Sequence, residues 1–201
     1  MIRILIIILT LSRSTCCMSQ NMIFDNTVRQ LYFGVEIHRS SSEILDSFKQ
    51  IEHLEYSDNG VRQWNLNISL IMGNESDSWS SRHEFSFSKS PVSGLKIRSG
   101  KIIVTLGETN KLQKVIGIDW LVEFEKKSDA KVFYDRLINM FTPISTMQKE
   151  EYDKRVGHIA QFSTRSESEK GVRDVSFSFS KSLKTKKYEV RSSLMNEFVL
   201  Q

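Results

Sequence analysis

Apolar and polar residues alternate over several stretches of the chain, and two stretches between them change to a helical spacing. Phe33, Val35 and Ile37 alternate with Gly34, Glu36 and His38, which predicts a half-buried strand over Leu31–Arg39. Ser40-Ser41-Ser42-Glu43 follows, a hydroxyl N-cap with a glutamate three residues on. Ile44, Leu45, Phe48 and Ile51 then fall on one helical face. Strand-like stretches run through Trp64, Leu66, Ile68, Leu70 and Met72, through Phe85 and Phe87, and from Leu95 and Ile97 to Ile102 and Val104. The order then begins again with Ile116, Ile118, Trp120, Val122 and Phe124 alternating over a long strand. A helix capped by Ser128 or Asp129 follows, bearing Phe133, Leu137, Met140 and Phe141 and ended with the help of Pro143. Further strands are predicted near Val156–Arg165, Val172–Ser182 and Lys187–Ser193.

The hexapeptide Phe-Ser-Phe-Ser-Lys-Ser occurs at Phe85–Ser90 and again at Phe177–Ser182. Its flanks correspond too: Val35-Glu36-Ile37 with Val122-Glu123-Phe124 before each helix, and Leu95-Lys96-Ile97-Arg98-Ser99 with Tyr188-Glu189-Val190-Arg191-Ser192 after each hexapeptide. The pattern predicts an α+β protein built as a tandem duplication of a β-α-β-β-β module, each with one helix packed on an antiparallel sheet. The first module spans residues 31–106, a linker 107–113, and the second module 114–201; residues 20–30 form an N-terminal extension. One helix covers one face of a sheet, so the hexapeptide phenylalanines should face the helices and the serines the open side. Joining the modules edge to edge into one continuous sheet would protect two edges, and that arrangement is favoured.

Residues 1–19 read as a cleaved signal peptide: Arg3 supplies the positive start, Ile4 to Leu11 a short apolar core, and Cys17-Met18-Ser19 the cleavage site ahead of Gln20. Lipid modification at Cys16 or Cys17 would want an apolar residue three positions earlier, where the chain has Arg13 and Ser14, so simple cleavage is preferred. The mature chain would then be free of cysteine, which excludes disulfides, thiolate zinc sites and cysteine nucleophiles together. The net charge of +4 falls to +2 once Arg3 and Arg13 are removed, too mild a balance to imply nucleic acid. No second apolar run is long enough to span a bilayer, so no transmembrane segment is expected in the mature chain. The expected location is periplasmic or extracellular.

Chemistry is sparsely signalled. Histidines 38, 53, 83 and 158 show none of the spacings that hold a metal, and no cofactor motif or glycine-rich phosphate loop is present. Ser86 with Lys89, and Ser178 with Lys181, spell Ser-x-x-Lys, but residues three apart in a strand point to opposite faces. Glu150-Glu151 with Asp153, and Glu167 with Glu169, read as solvated loops mixed with cations. No catalytic residue is therefore assigned.

Two features suit binding better. A basic ladder of Lys181, Lys184, Lys186, Lys187 and Arg191 holds Glu189 as its one acid, with a milder counterpart in Lys89, Lys96, Arg98 and Lys101. Trp79 is a large aromatic in the polar stretch Gly73–Ser81, near the glycosylation-type triplets at Asn67 and Asn74. The expectation is an exported, non-enzymatic binding protein with a protein partner, in an immunity or inhibitor role, or an anionic glycan or lipid in its place. The second expectation is a hydrolase of an envelope polymer, with a cleft between the modules lined by Glu36 and Glu123.

Overall fold

A computed structural model describes residues 22–37, 40–58, 63–64, 79–108, 113–154, 156–164 and 174–194. Residues 1–19, read above as a signal peptide, and His38, the Leu66–Met72 alternation, Asn67, Asn74, Glu167 and Glu169 lie outside the described residues. The elements are helix α1 (residues 22–31), α2 (Ser41–Lys49), strands β1 (Leu54–Asp58), β2 (Gln63–Trp64), β3 (Trp79–Phe87), β4 (Gly100–Glu108) and β5 (Gln113–Phe124). Helix α3 (Lys127–Phe141), a short 3-10 turn, and strands β6 (Met147–Asp153), β7 (Gly157–Ser163), β8 (Asp174–Lys181) and β9 (Tyr188–Leu194) complete the set.

All the strands belong to one antiparallel sheet in the order β1-β3-β4-β5-β9-β8-β7-β6, with β2 pairing on β3. The chain is thus α+β with a single continuous sheet. The two halves meet through the β4–β5 ladder, so the expected linker 107–113 connects two adjacent paired strands. Strands β3 and β8, which carry the phenylalanines of the two hexapeptides, each lie two places from the central β5.

All three helices pack on one face. Phe48 of α2 meets Phe85, while Phe141 of α3 meets Phe177 and also Phe24 of α1, with ring centroids 5.1–5.3 Å apart. Phe85, Phe87, Phe177 and Phe179 are all buried, and the serines between them, Ser86 and Ser178, point to the other face. That division follows from the period of two in a strand. Gly100 stands opposite Phe87 in the ladder and lets the Phe87 ring lie across the start of β4; any side chain there would collide with it.

Several expectations are corrected. Residues 31–37 form no strand, because α1 continues to residue 31 and then closes in a Schellman turn. The Gly34 amide donates to the Arg29 carbonyl at 2.8 Å and the Phe33 amide to Gln30 at 3.2 Å, with Phe33 (φ 57°) and Gly34 (φ 87°) left-handed. The alternating apolar residues are buried even so, Val35 and Ile37 included, but in an irregular segment. The supposed extension is likewise part of the core: Phe24, Val28 and Leu31, spaced i, i+4, i+7, are buried. Its end is tethered by Tyr32, whose buried hydroxyl lies 3.0 Å from the Ser192 hydroxyl and 3.3 Å from the Ile118 carbonyl.

The second half contains one strand more than expected. Met147–Asp153, with its acids Glu150, Glu151 and Asp153, is an exposed edge strand rather than a loop. Charges along such an edge discourage pairing with a second molecule. Neither Ser128 nor Asp129 caps α3; Lys126 holds that position without a side-chain bond, and Ser128 donates to Asp129 inside the first turn. By contrast Ser40 and Glu43 form the full capping box on α2. A bulge between Thr105 and Leu106 shifts the register against β5, so Val115 and Ile118 are buried while Ile116 is half-buried.

Candidate functional site at the basic end of the sheet

The ladder registers show which residues the fold gathers. Phe87 lies opposite Gly100, Phe124 opposite Tyr188, and Tyr188 opposite Lys181. Phe179 lies opposite His158, and His158 opposite Tyr152. One end of the sheet therefore carries the 88–99 connection, the start of α3, the β6–β7 turn and the β8–β9 turn. Both basic ladders seen in the sequence converge on it. Trp79 does not join them: it stands opposite Glu108 at the other end, paired across the ladder with Trp64 and 42% exposed.

The five cations of the C-terminal ladder divide into two groups. Lys187 is held by Glu123 at 3.4 Å and Glu125 at 3.5 Å, and Glu125 also pairs with Arg98 at 3.4 Å. Arg191 projects onto the open face and bonds the buried Glu189 at 2.6 Å. These two charges are spent within the fold. A cavity of about 450 Å³ beside Lys187, reaching Lys96, Arg98 and Asp129, is correspondingly mixed in sign.

Lys181, Lys184 and Lys186 are exposed and make no ion pair among the described residues. Lys181 lies over the Tyr188 ring, 5.5 Å from its centroid. It borders a second cavity of about 360 Å³, together with Lys127, Lys154, His158, Tyr152 and Tyr188. Among the described residues no acid lines this cavity. Lys127, the first residue of α3, brings a cation to the cleft from a separate element, while Asp129 of the same turn lines the other cavity. Sequence reading missed Lys127, Lys154 and Tyr152, which lie far from the ladder along the chain. The hint available was Lys154, Val156 and Gly157 at a hairpin tip.

Gly157 fixes the cleft's shape. It has φ +88°, and a Cβ there would run into the Phe179 carbonyl oxygen, so the tip of β6–β7 is pressed directly onto β8. His158 stacks on Phe179 with centroids 6.2 Å apart, and Tyr152 meets His158 edge-on at 5.1 Å.

Other polar groups are arranged for structure. His83 Nδ1 lies 2.9 Å from the Tyr56 hydroxyl and its Nε2 3.3 Å from Ser81, but Ser81 donates its proton to Glu108 at 2.5 Å. The serine is therefore not set up for activation by the imidazole. His53 packs edge-on against Phe33. Glu36 pairs with Arg29 at 3.5 Å and does not share the cavity that Glu123 lines.

Among the described residues three groups have displaced pKa values. Burial, opposed by its bond to Ser192, holds the Tyr32 hydroxyl far above the phenolic range. Burial also raises Asp119 against the pull of its Ser193 hydrogen bond and of Arg191 and Arg82. Tyr134 is pushed up to about 12 by burial, with Glu150 and Asp135 adding to it. None of the three lines either cavity at the basic end. Among the described residues no group of three or more His, Cys, Asp or Glu could hold a metal ion, and no helix is long and apolar enough to cross a membrane. Comparison with known proteins finds no matching family model, no similar curated protein and no similar solved structure.

Proposed function

We propose that this chain is an exported, non-enzymatic binding protein that holds an acidic partner at the basic end of its sheet. The observation that carries the proposal is the acid-free cleft formed by Lys127, Lys154 and Lys181, extended by Lys184 and Lys186 on the adjoining turn. Unpaired cations beside a cavity focus an attractive potential for anions, whereas paired cations cancel within the fold. Catalysis by acid and base would require titratable groups converging on a substrate. Here the displaced groups and the cavities are in different places. The partner classes that such a surface suits are an acidic protein, in an immunity or inhibitor role, and an anionic glycan or lipid.

Export rests on the N-terminal apolar segment of the sequence. Duplication of an ancestral module is proposed alongside, supported by the hexapeptide phenylalanines on β3 and β8, strands equidistant from β5, each with its phenylalanines under a helix. The halves differ in that α3 has a paired strand before it and α2 has a helix.

Surface plasmon resonance on immobilised polyglutamate, a stand-in for an acidic polypeptide, tests the binding proposal. The wild-type chain is expected to bind saturably at physiological salt, and Lys184→Glu with Lys186→Glu to weaken binding by more than ten-fold. Equal responses from the two proteins would overturn it.

A further inference from the structure

We propose that the acidic partner is the surface of an anionic lipid bilayer, with a phosphate-bearing headgroup in the Lys127–Lys154–Lys181 cleft and two hairpin tips in the interface. The inference rests on the binding function proposed above and specifies its partner. It starts from the residues that flank the cleft. Leu183, at the tip of the β8–β9 turn, is 88% exposed, and Val156, at the tip of the β6–β7 turn, is 45% exposed. Tyr152, on the cleft wall, is 67% exposed.

Leu183 is bracketed by Lys181 and Lys184, and Val156 is preceded by Lys154. The registers of β6 on β7, β7 on β8 and β8 on β9 put both tips at the same end, with the cleft between them. The fold thus presents apolar points, cations around them and a basic hollow in one place.

The β8–β9 turn is held in this shape. The Ser182 amide donates to the Lys187 carbonyl at 2.8 Å, the Lys186 amide to the Ser182 carbonyl at 3.0 Å, and the Thr185 amide to the Ser182 hydroxyl at 3.3 Å. Lys186 adopts a left-handed conformation, φ 63°, where glycine is the unstrained choice. A lysine kept there puts a further cation beside Leu183. In the other turn Asp153 accepts the Val156 amide at 2.9 Å, which directs that carboxylate into its own turn.

Bilayer and protein partners demand different things of such a surface. Protein interfaces draw most of their energy from aromatic and arginine anchors filling pockets, and leucine is under-represented among them. A leucine standing clear of the fold among lysines matches a membrane interface: the apolar tip enters the acyl boundary and the lysines reach back to the headgroup phosphates. Each lysine near an anionic leaflet contributes roughly five-fold in affinity, and a buried leucine roughly ten-fold.

The test uses vesicles of pure phosphatidylcholine and of phosphatidylcholine with phosphatidylglycerol, read by co-sedimentation, beside the polyglutamate surface. Wild-type protein should sediment with the anionic vesicles and not with the neutral ones. Leu183→Ser with Val156→Ser, both exposed positions, should lower vesicle affinity by about ten-fold or more and leave polyglutamate binding unchanged. Lys127→Glu with Lys154→Glu should weaken both. Soluble glycerol phosphate at millimolar concentration should not displace the vesicles, which separates a lipid surface from a free phosphate ligand. Failure to sediment with anionic vesicles, or sedimentation indifferent to the Leu183 and Val156 changes, would overturn the membrane inference; retained polyglutamate binding would leave the acidic-protein reading standing. Loss of both activities in the wild type would overturn both proposals.

Discussion

The cleft beside Lys187 and the cleft beside Lys181 open at the same end of one sheet and share the Lys187-Tyr188 corner between them. Both are lined by lysines, but the first is mixed in sign and the second is basic. In the first, Glu123 and Glu125 meet Lys187 and Arg98, and the charges cancel. In the second, three lysines and a histidine face a hollow with no carboxylate among the described residues. Position in the fold, rather than count of cations, decides which lysines can act on a partner. A paired surface cation adds little to stability and offers little to a ligand, whereas an unpaired one keeps its field available.

The largest effect should come from disturbing the wall of the open cleft. Gly157→Val places a branched side chain at φ +88° and against the Phe179 carbonyl. It should cost on the order of 3 kcal/mol in urea unfolding. Unchanged stability would mean that the β6–β7 tip is not pressed onto β8, and the contrast between the clefts would lose its structural basis.

Lys186→Gly relieves a left-handed lysine and should raise the unfolding free energy by about 0.5–1 kcal/mol while lowering affinity for anionic vesicles roughly five-fold. Stability and binding moving in opposite directions is the signature of a residue kept for its charge. If both rise together, Lys186 is not part of the binding surface.

Glu123→Gln with Glu125→Gln should change stability by only a few tenths of a kcal/mol, because these pairs are partly solvated. It frees Lys187 and Arg98, so vesicle affinity should increase several-fold. An unchanged affinity would show that the two clefts do not face the same partner.

Much of the architecture was legible in the sequence. The phenylalanine–serine alternation put the right residues in the core because side-chain direction in a strand is set locally. Ser40 and Glu43 announced α2 because a capping box closes within four residues. Residues 31–37 misled because Phe33-Gly34 satisfies an alternating pattern as readily as it satisfies a helix C-terminus. The bonds from Gly34 and Phe33 back to α1 decided between them. Strand β6 escaped notice because an edge strand exposed on both faces carries no apolar alternation.

The candidate site was legible only as a list of cations. The sequence by itself determined that this chain would form amphipathic strands and helices, with lysines concentrated near its C-terminus, since period and composition are properties of neighbours along the chain. The tertiary structure decided the strand order, the entry of α1 into the core, and the division of the lysines into paired and free. Lys187 meets Glu123 from 64 residues away, and Lys181 shares a cleft with Lys127 and Lys154 from three separate elements. Charge cancellation depends on distance in space, which a local pattern does not encode.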